Sequence, residues 1–333
     1  MSFQHIRGHE RILKILTRII ETRRLAHAYL FSGPEGIGKR LTALAFSKII
    51  LCSSESKGSC GNCPDCIQVD QSNHPDLILV EPQEGKITVD NIRNIKRELS
   101  RKSFAGGYKL CIINNAEKMN ENSQNALLKT LEEPSPATTI ILITSQPYLL
   151  LPTIISRCQH LKFQPLSLSS ATEVVMKKGG FEPQIASFLV ALSGGSPGKA
   201  LKLNIDSFKE LRKAWINYLG LLSKVQNEDI LKFAEEFSHD KEISDLKLNF
   251  LRLWYRDIIL YKIYGNTDHL LNKDKTSEIA SQSSFWSLKD LLEILVLIEE
   301  YQQNLERNAN FQLTMETLFM KLNQKSLSKE NIL

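Results

Sequence analysis

The sequence predicts an α/β protein: a parallel sheet domain carrying a P-loop, followed by helical regions that run to the end of the chain. Three observations carry this. A strand, a glycine-rich turn and a helix follow one another in AYLFS, GPEGIGKR and LTALAFSKIILC (28–52), the order in which a phosphate-binding loop is built. Short apolar runs then alternate with helical patterns to about residue 166, and such alternation specifies a parallel sheet covered on both faces. After QHLKFQPLS (159–167) the β-signals stop.

The first strand leads into Gly33, Gly36, Gly38 and Lys39. Glycines let backbone N–H groups approach phosphate, the lysine serves the β/γ-phosphates, and a following Ser or Thr hydroxyl normally ligates Mg²⁺. Here that last position is Arg40, which has five donors and no acceptor and cannot hold a cation. The loop suits phosphate but not hydrolysis, and whether it holds ATP or ADP is left open by the residues.

The helix LTALAFSKIILC ends in a cysteine cluster: Cys52, then Cys60, Cys63 and Cys66. Four thiolates with x₂ spacing between the last three can close a tetrahedral S₄ site around a structural Zn²⁺. An iron–sulfur cluster also uses C-x₂-C-x₂-C, although its usual x₃-C-P continuation is missing. Unrelated buried thiols are the third reading. Zinc is favoured, because clustered cysteines in a reducing compartment point to metal before disulfides. Cys111 and Cys158 stand apart in apolar surroundings.

Strand runs follow at LILV (77–80), KLCIIN (109–114) and TIILITS (139–145), with helical patterns at TVDNIRNIKRELS and SQNALLKTLEE between them. The first of these helices sets Ile92, Ile95 and Leu99 as an apolar stripe opposite Arg93, Lys96, Arg97, Arg101 and Lys102. A solvated face is the favoured reading of those cations, with phosphate contact as the other. The third strand ends on Asn114 and Asn115, where P-loop ATPases carry an acid for Mg²⁺. Asparagine has no negative charge and cannot act as a base. Pro134 closes the second helix. Beyond 169 the pattern is helical, broken at SGGSPGKA (193–200). Asn308 and Asn310 read as caps or turns between the last two helices.

Bulk composition agrees with a soluble globular chain: 333 residues, 42% hydrophobic, 24% charged, and a net charge of +5 that permits nucleic acid nearby without demanding it. No apolar run reaches the ~18 residues of a membrane span. MSFQHIRGHE lacks a signal peptide's hydrophobic stretch, so a cytoplasmic protein is expected.

The order HAYLFSGPEGIGK, CGNCPDC, HPDLILVEP, NNAEKMNENSQNALLKTLEEPSP, ITSQPYLLLPTIISRCQ and RNANFQLTMETLFMKL resembles the delta-prime family of bacterial DNA polymerase III clamp-loader subunits, within the AAA+ class. The resemblance implies a RecA-like domain over 1–166 with an inserted zinc module (52–66), a helical lid over 167–205, and an all-α collar over 206–333. It implies that Arg157, in Ser156-Arg157-Cys158, is an arginine finger given in trans to ATP on a neighbouring subunit, and that Thr144 or Ser145 takes the first-sensor position. Active relatives carry a second-sensor arginine in G-S-x-R, where this chain has Gly195-Ser196-Pro197-Gly198 followed by Lys199. The implied role is a non-hydrolysing subunit that works with the tau/gamma ATPases and delta to load the sliding clamp onto primed DNA. Two alternatives stand beside it: an active tau/gamma-like ATPase, and a zinc-dependent nucleic-acid-binding module.

Overall fold

The computed structural model describes residues 3, 5–54, 58–104, 107–221, 227–238, 244–306 and 309–330; Asn308 lies outside them. The chain divides into two compact units, one of residues 1–174 with 195–199, the other of 175–194 with 200–333.

The first unit opens with α1 (Glu10–Thr22), β1 (Ala28–Ser32), α2 (Lys39–Leu51), α3 (Pro64–Asp70) and β2 (Leu77–Val80). It continues with α4 (Val89–Leu99), β3 (Lys109–Ile113), α5 (Glu121–Glu132), β4 (Thr138–Thr144), α6 (Pro152–Ser156) and β5 (Gln159–Lys162). The strands form one sheet in the order β2-β3-β4-β1-β5, parallel throughout. Every residue of β1 and β3 is buried, as expected of a sheet covered on both faces. Leu30, Cys111, Ile113, Ile140 and Leu142 share a core with Ile92, Ile95 and Leu99 of α4 and Leu127 and Leu131 of α5. Tyr29 and Phe31, on the face opposite Leu30, pack on Phe46 (5.6 Å between centroids) and Phe163 (5.2 Å) respectively. The alternation in β1 thus assigns one residue set to each helical layer.

Local chemistry fixes the helix ends. Thr88 and Asn91 form a reciprocal capping box at α4, satisfying two otherwise unpaired backbone donors. Lys109 Nζ donates to Glu98 O near the other end (2.8 Å). Asn120 caps α5 through the Ser123 N–H (2.9 Å), and the helix stops just short of Pro134.

Further on are α7 (Leu168–Gly179), α8 (Pro183–Leu192), α9 (Pro197–Lys202), α10 (Ile205–Gly220) and α11 (Asn227–Ser238), then α12 (Ser244–Tyr264), α13 (Thr276–Phe285), α14 (Leu288–Glu306) and α15 (Phe311–Glu330). The break expected over 193–200 is shorter: Pro197 already starts α9. Proline is tolerated there because a first-turn N–H has no partner in the helix, and Ser196 Oγ accepts the Lys199 N–H (3.2 Å) as a cap.

The second unit is held by an aromatic core that includes Trp215, Phe233, Phe237, Phe250, Trp254 and Phe319. Asp257, fully buried, accepts from Leu271 N (3.1 Å), Asn272 N (2.8 Å) and Asn272 Nδ2 (2.7 Å), and from Arg256 Nη1 (2.7 Å). Four donors offset the desolvation of one carboxylate. No helix among the described residues is long and apolar enough to cross a membrane.

Candidate functional site: a strapped phosphate loop, an exposed arginine and a four-cysteine cluster

β1 lies between β4 and β5, so the chain leaves it toward one side of the sheet while β4 connects to the other. Such a switch point opens a crevice at the carboxyl ends of the strands, and the glycine loop sits there. Gly33, Gly36 and Gly38 all have left-handed φ angles (143°, 76° and 103°), which L side chains rarely adopt. A Cβ on Gly36 would fall 2.3 Å from Ser196 Oγ and 2.8 Å from Lys199 N. Residues 196–199 lie across the loop as a strap: Gly198 N donates to Gly36 O (2.9 Å) and Ser196 Oγ to Glu35 O (2.8 Å).

The strap also leaves no room for a side chain at 198, the position where the resemblance implies an arginine in active relatives. A Cβ on Gly198 would meet Gly36 O at 2.7 Å and Gly36 Cα at 2.8 Å, so no side chain fits at 198 while the two backbones touch. Lys199 follows and already has interactions of its own.

Lys39 is buried and donates to the loop's own carbonyls at Gly33 and Pro34. Burial brings its pKa down to about 8, against the raising influence of Glu117 and Glu35. Arg40 turns the other way, with Nε on Glu81 Oε1 (3.0 Å), while Asn114 Nδ2 reaches Glu81 Oε2 (2.8 Å). The position expected to offer a metal ligand is therefore an ion pair with a neutral amide beside it. Asn115 is left-handed (φ 49°) and begins the 3₁₀ turn Ala116–Lys118.

Glu117, in that turn, was missed by sequence reasoning. Although burial alone would raise its pKa, hydrogen bonds from Ser145 and Thr144 hold it below the ordinary value, the Ser145 Oγ bond being 2.7 Å. Thr144 is buried at the end of β4 and accepts from Gln146 N (3.0 Å). Gln124 was missed too. It lies on the apolar stripe of α5 with Leu127 and Leu131 and donates to Met119 O (3.2 Å) and Leu149 O (3.1 Å) while accepting from Leu151 N (2.7 Å). An amide at a stripe position was the available signal, because a buried amide needs partners.

Arg157 directly follows α6. Its Nη2 pairs with Glu132 Oε1 (2.8 Å) and its Nη1 donates to Thr153 O (3.1 Å); the side chain stays 36% exposed, enough to be reached from outside.

The four cysteines expected to bind metal come together, each sulfur within 4.8 Å of the others. The Cys52–Cys60 and Cys52–Cys63 sulfurs are 3.8 Å apart, and Cys60–Cys66 4.0 Å. A tetrahedron with metal–sulfur bonds of about 2.3 Å has edges of about 3.8 Å, so the cluster could hold a metal ion. Backbone N–H groups of Cys60, Cys63 and Cys66 point to the sulfurs of Cys52 (3.5 Å), Cys60 (3.3 Å) and Cys63 (3.4 Å), a pattern that stabilises thiolate charge. His74 is buried and accepts the Asp76 N–H at Nδ1 (3.0 Å), which leaves its Nε2 facing Asp65 at 3.4 Å. The α3 helix that carries Cys66 is thereby braced against the approach to β2.

Comparison with known proteins follows the same division. The family described as "DNA polymerase III, delta subunit" matches residues 8–167, and "DNA polymerase III, delta subunit, C terminal" matches 206–324. DNA polymerase III subunit delta' of Bacillus subtilis is 33% identical over 94% of this chain and 96% of its own length. The delta' subunit of Pseudomonas aeruginosa is 39% identical over 60% of this chain and 62% of its own. The tau subunit of Bacillus subtilis is 28% identical over 88% of this chain and 57% of its own. Among solved structures, a DNA polymerase III gamma-subunit-related protein from Thermotoga maritima aligns over 94% of this chain and 99% of its own, at 18% identity and a TM-score of 0.44. Identity at this level along essentially the whole length of a delta' subunit, with family matches in both parts of the chain, means that the chain belongs to the delta' family of DNA polymerase III clamp-loader subunits.

Proposed function

We propose that this chain is a non-hydrolysing member of its clamp loader, one that supplies Arg157 in trans to ATP on a neighbouring tau/gamma-type subunit while its own phosphate loop stays idle. The observation that carries the reading is the corner formed by Arg40, Glu81 and Asn114. Phosphoryl transfer depends on a metal bridging the β- and γ-oxygens and on a group that orients the nucleophile. A guanidinium paired to the nearest carboxylate provides neither. Support comes also from Lys39, whose donors go to Gly33 and Pro34 carbonyls, and from the strap over Gly36.

On this reading the chain has a RecA-like domain (1–166), a lid (167–205) and a collar (206–333), and acts in the bacterial cytoplasm. Its partners are tau/gamma and delta, with the sliding clamp and primed DNA reached through the complex. The exposed cations of α4, among them Lys96 and Arg97, suit backbone phosphate rather than bases. Cys52, Cys60, Cys63 and Cys66 hold Zn²⁺ in a structural role, since four sulfurs fill a tetrahedral shell and leave no open position for chemistry.

The test is clamp- and DNA-stimulated ATP hydrolysis by the reconstituted complex, with the isolated chain as control. Arg157→Ala should lower turnover by ~10³-fold, the lower range for an arginine finger, with assembly intact and the isolated chain silent. Hydrolysis by the isolated chain at the rate of the motor subunits would overturn the reading in favour of an active ATPase.

A further inference from the structure

We infer that Glu132 is a positioning residue for Arg157: it holds the guanidinium oriented before the neighbour's ATP arrives. This rests on Arg157 acting in trans as proposed above. An arginine side chain on the surface has much rotamer freedom, and ordering it costs up to ~2 kcal/mol. That cost falls on the transition state unless another contact has already fixed the side chain. Glu132 Oε1 takes one N–H from Nη2, and Thr153 O takes one from Nη1. A guanidinium has five N–H donors, so three are left for phosphate oxygens. The hold therefore fixes the group without using it up.

The location of Glu132 argues against an incidental surface pair. It is the last residue of α5, where the negative end of the helix dipole disfavours a carboxylate. An acid there is unfavourable alone and is offset by a cation beside it. The helix that presents it is also tied to the arginine's own segment. Gln124, two turns earlier, bonds both Leu149 O and Leu151 N just before α6. α5 thus grips the Leu149–Arg157 stretch at its beginning through Gln124 and at its end through Glu132, which is how a supporting residue keeps a functional group within tolerance.

The test uses the full reconstituted complex with primed DNA and clamp, comparing Glu132→Gln, Glu132→Asp, Arg157→Ala and the Glu132→Gln/Arg157→Ala double variant. Glu132→Gln should lower kcat ~2- to 5-fold, the scale of one exposed charge pair, with KM for ATP within about twofold. Glu132→Asp, which keeps the charge, should recover part of the loss. In the Arg157→Ala background, Glu132→Gln should cause no further loss, because a residue acting only through Arg157 has nothing left to position. Unchanged kcat in Glu132→Gln while Arg157→Ala is sharply impaired would overturn the positioning role and leave the finger standing. An undiminished further loss in the double variant would overturn it as well. If Arg157→Ala itself has no effect, the finger reading fails, and the positioning role fails with it.

Discussion

Replacing Gly198 by alanine tests the strap with a single methyl group. Gly198 has no left-handed φ, so its backbone accepts any L residue, and the cost comes from contact alone. The new Cβ would sit 2.7 Å from Gly36 O and 2.8 Å from Gly36 Cα. Both are backbone atoms that cannot rotate away, so the strap must lift. Lifting breaks Gly198 N–Gly36 O and strains Ser196 Oγ–Glu35 O. Each hydrogen bond is worth about 1 kcal/mol net, and forcing a methylene into a packed site costs about 1–3 kcal/mol. The expected destabilisation is about 2–4 kcal/mol, which for a unit of this size lowers Tm by roughly 5–12 °C. Differential scanning calorimetry resolves such a shift, and it should fall on the transition of the unit that contains residues 1–174. Gly107→Ala is the control: its Cβ meets nothing within 4 Å. A Gly198→Ala midpoint equal to that of the control would refute the close approach, and with it the claim that no side chain fits at 198.

Metal analysis of the purified chain should give one zinc per chain, and Cys63→Ser should lower both zinc content and thermal stability; a metal-free wild type that is equally stable would dismiss the zinc proposal. Asp257→Ala should destabilise the helical unit by about 3–5 kcal/mol, because it strands several buried donors, as read by urea denaturation. Lys39 titrates at about 8 in the folded chain against an ordinary 10.5, so between those values the unfolded chain binds the extra proton and stability rises with pH. The cost of burying the charge is fully present below about 8 and relieved above it. Lys39→Met should flatten that rise in a pH series of unfolding curves. Burial raises the thiol pKa of both Cys111 and Cys158, the latter to about 12, so at neutral pH neither should react with a thiol reagent until the chain is unfolded.

Much of the sheet was legible because its signals are local. The apolar runs at 28–32, 77–80 and 109–114 became strands within a residue of their expected bounds, and the stripe of Ile92, Ile95 and Leu99 fell on the buried face of α4. The cysteine spacing also carried through to a compact cluster, since x₂ turns fix the distance between neighbouring sulfurs. What stayed hidden depends on residues far apart in the chain. Nothing near Gly198 announces that Gly36 lies against it, and Arg40 gives no local sign that Glu81, 41 positions on, is its partner. Glu117 follows the two asparagines that drew attention, yet its bonds to Thr144 and Ser145 required β3 and β4 to be neighbours. The break at 193–200 is shorter than its composition suggests, because Pro197 opens a helix and a proline is tolerated in a first turn.

The contact between Gly36 and Gly198 bears on how such a chain evolves. If the chain is non-hydrolysing as proposed, a return to hydrolysis would call for a hydroxyl at 40, an acid at 114 and an arginine at 198. Changing Arg40 alone takes the cation from Glu81, and adding an acid at 114 alone puts two carboxylates side by side. At 198 the backbone of Gly36 excludes every side chain. On the proposed reading, then, each single step back toward hydrolysis meets its own penalty in charge or packing, and the idle state is held by contacts that no one substitution undoes.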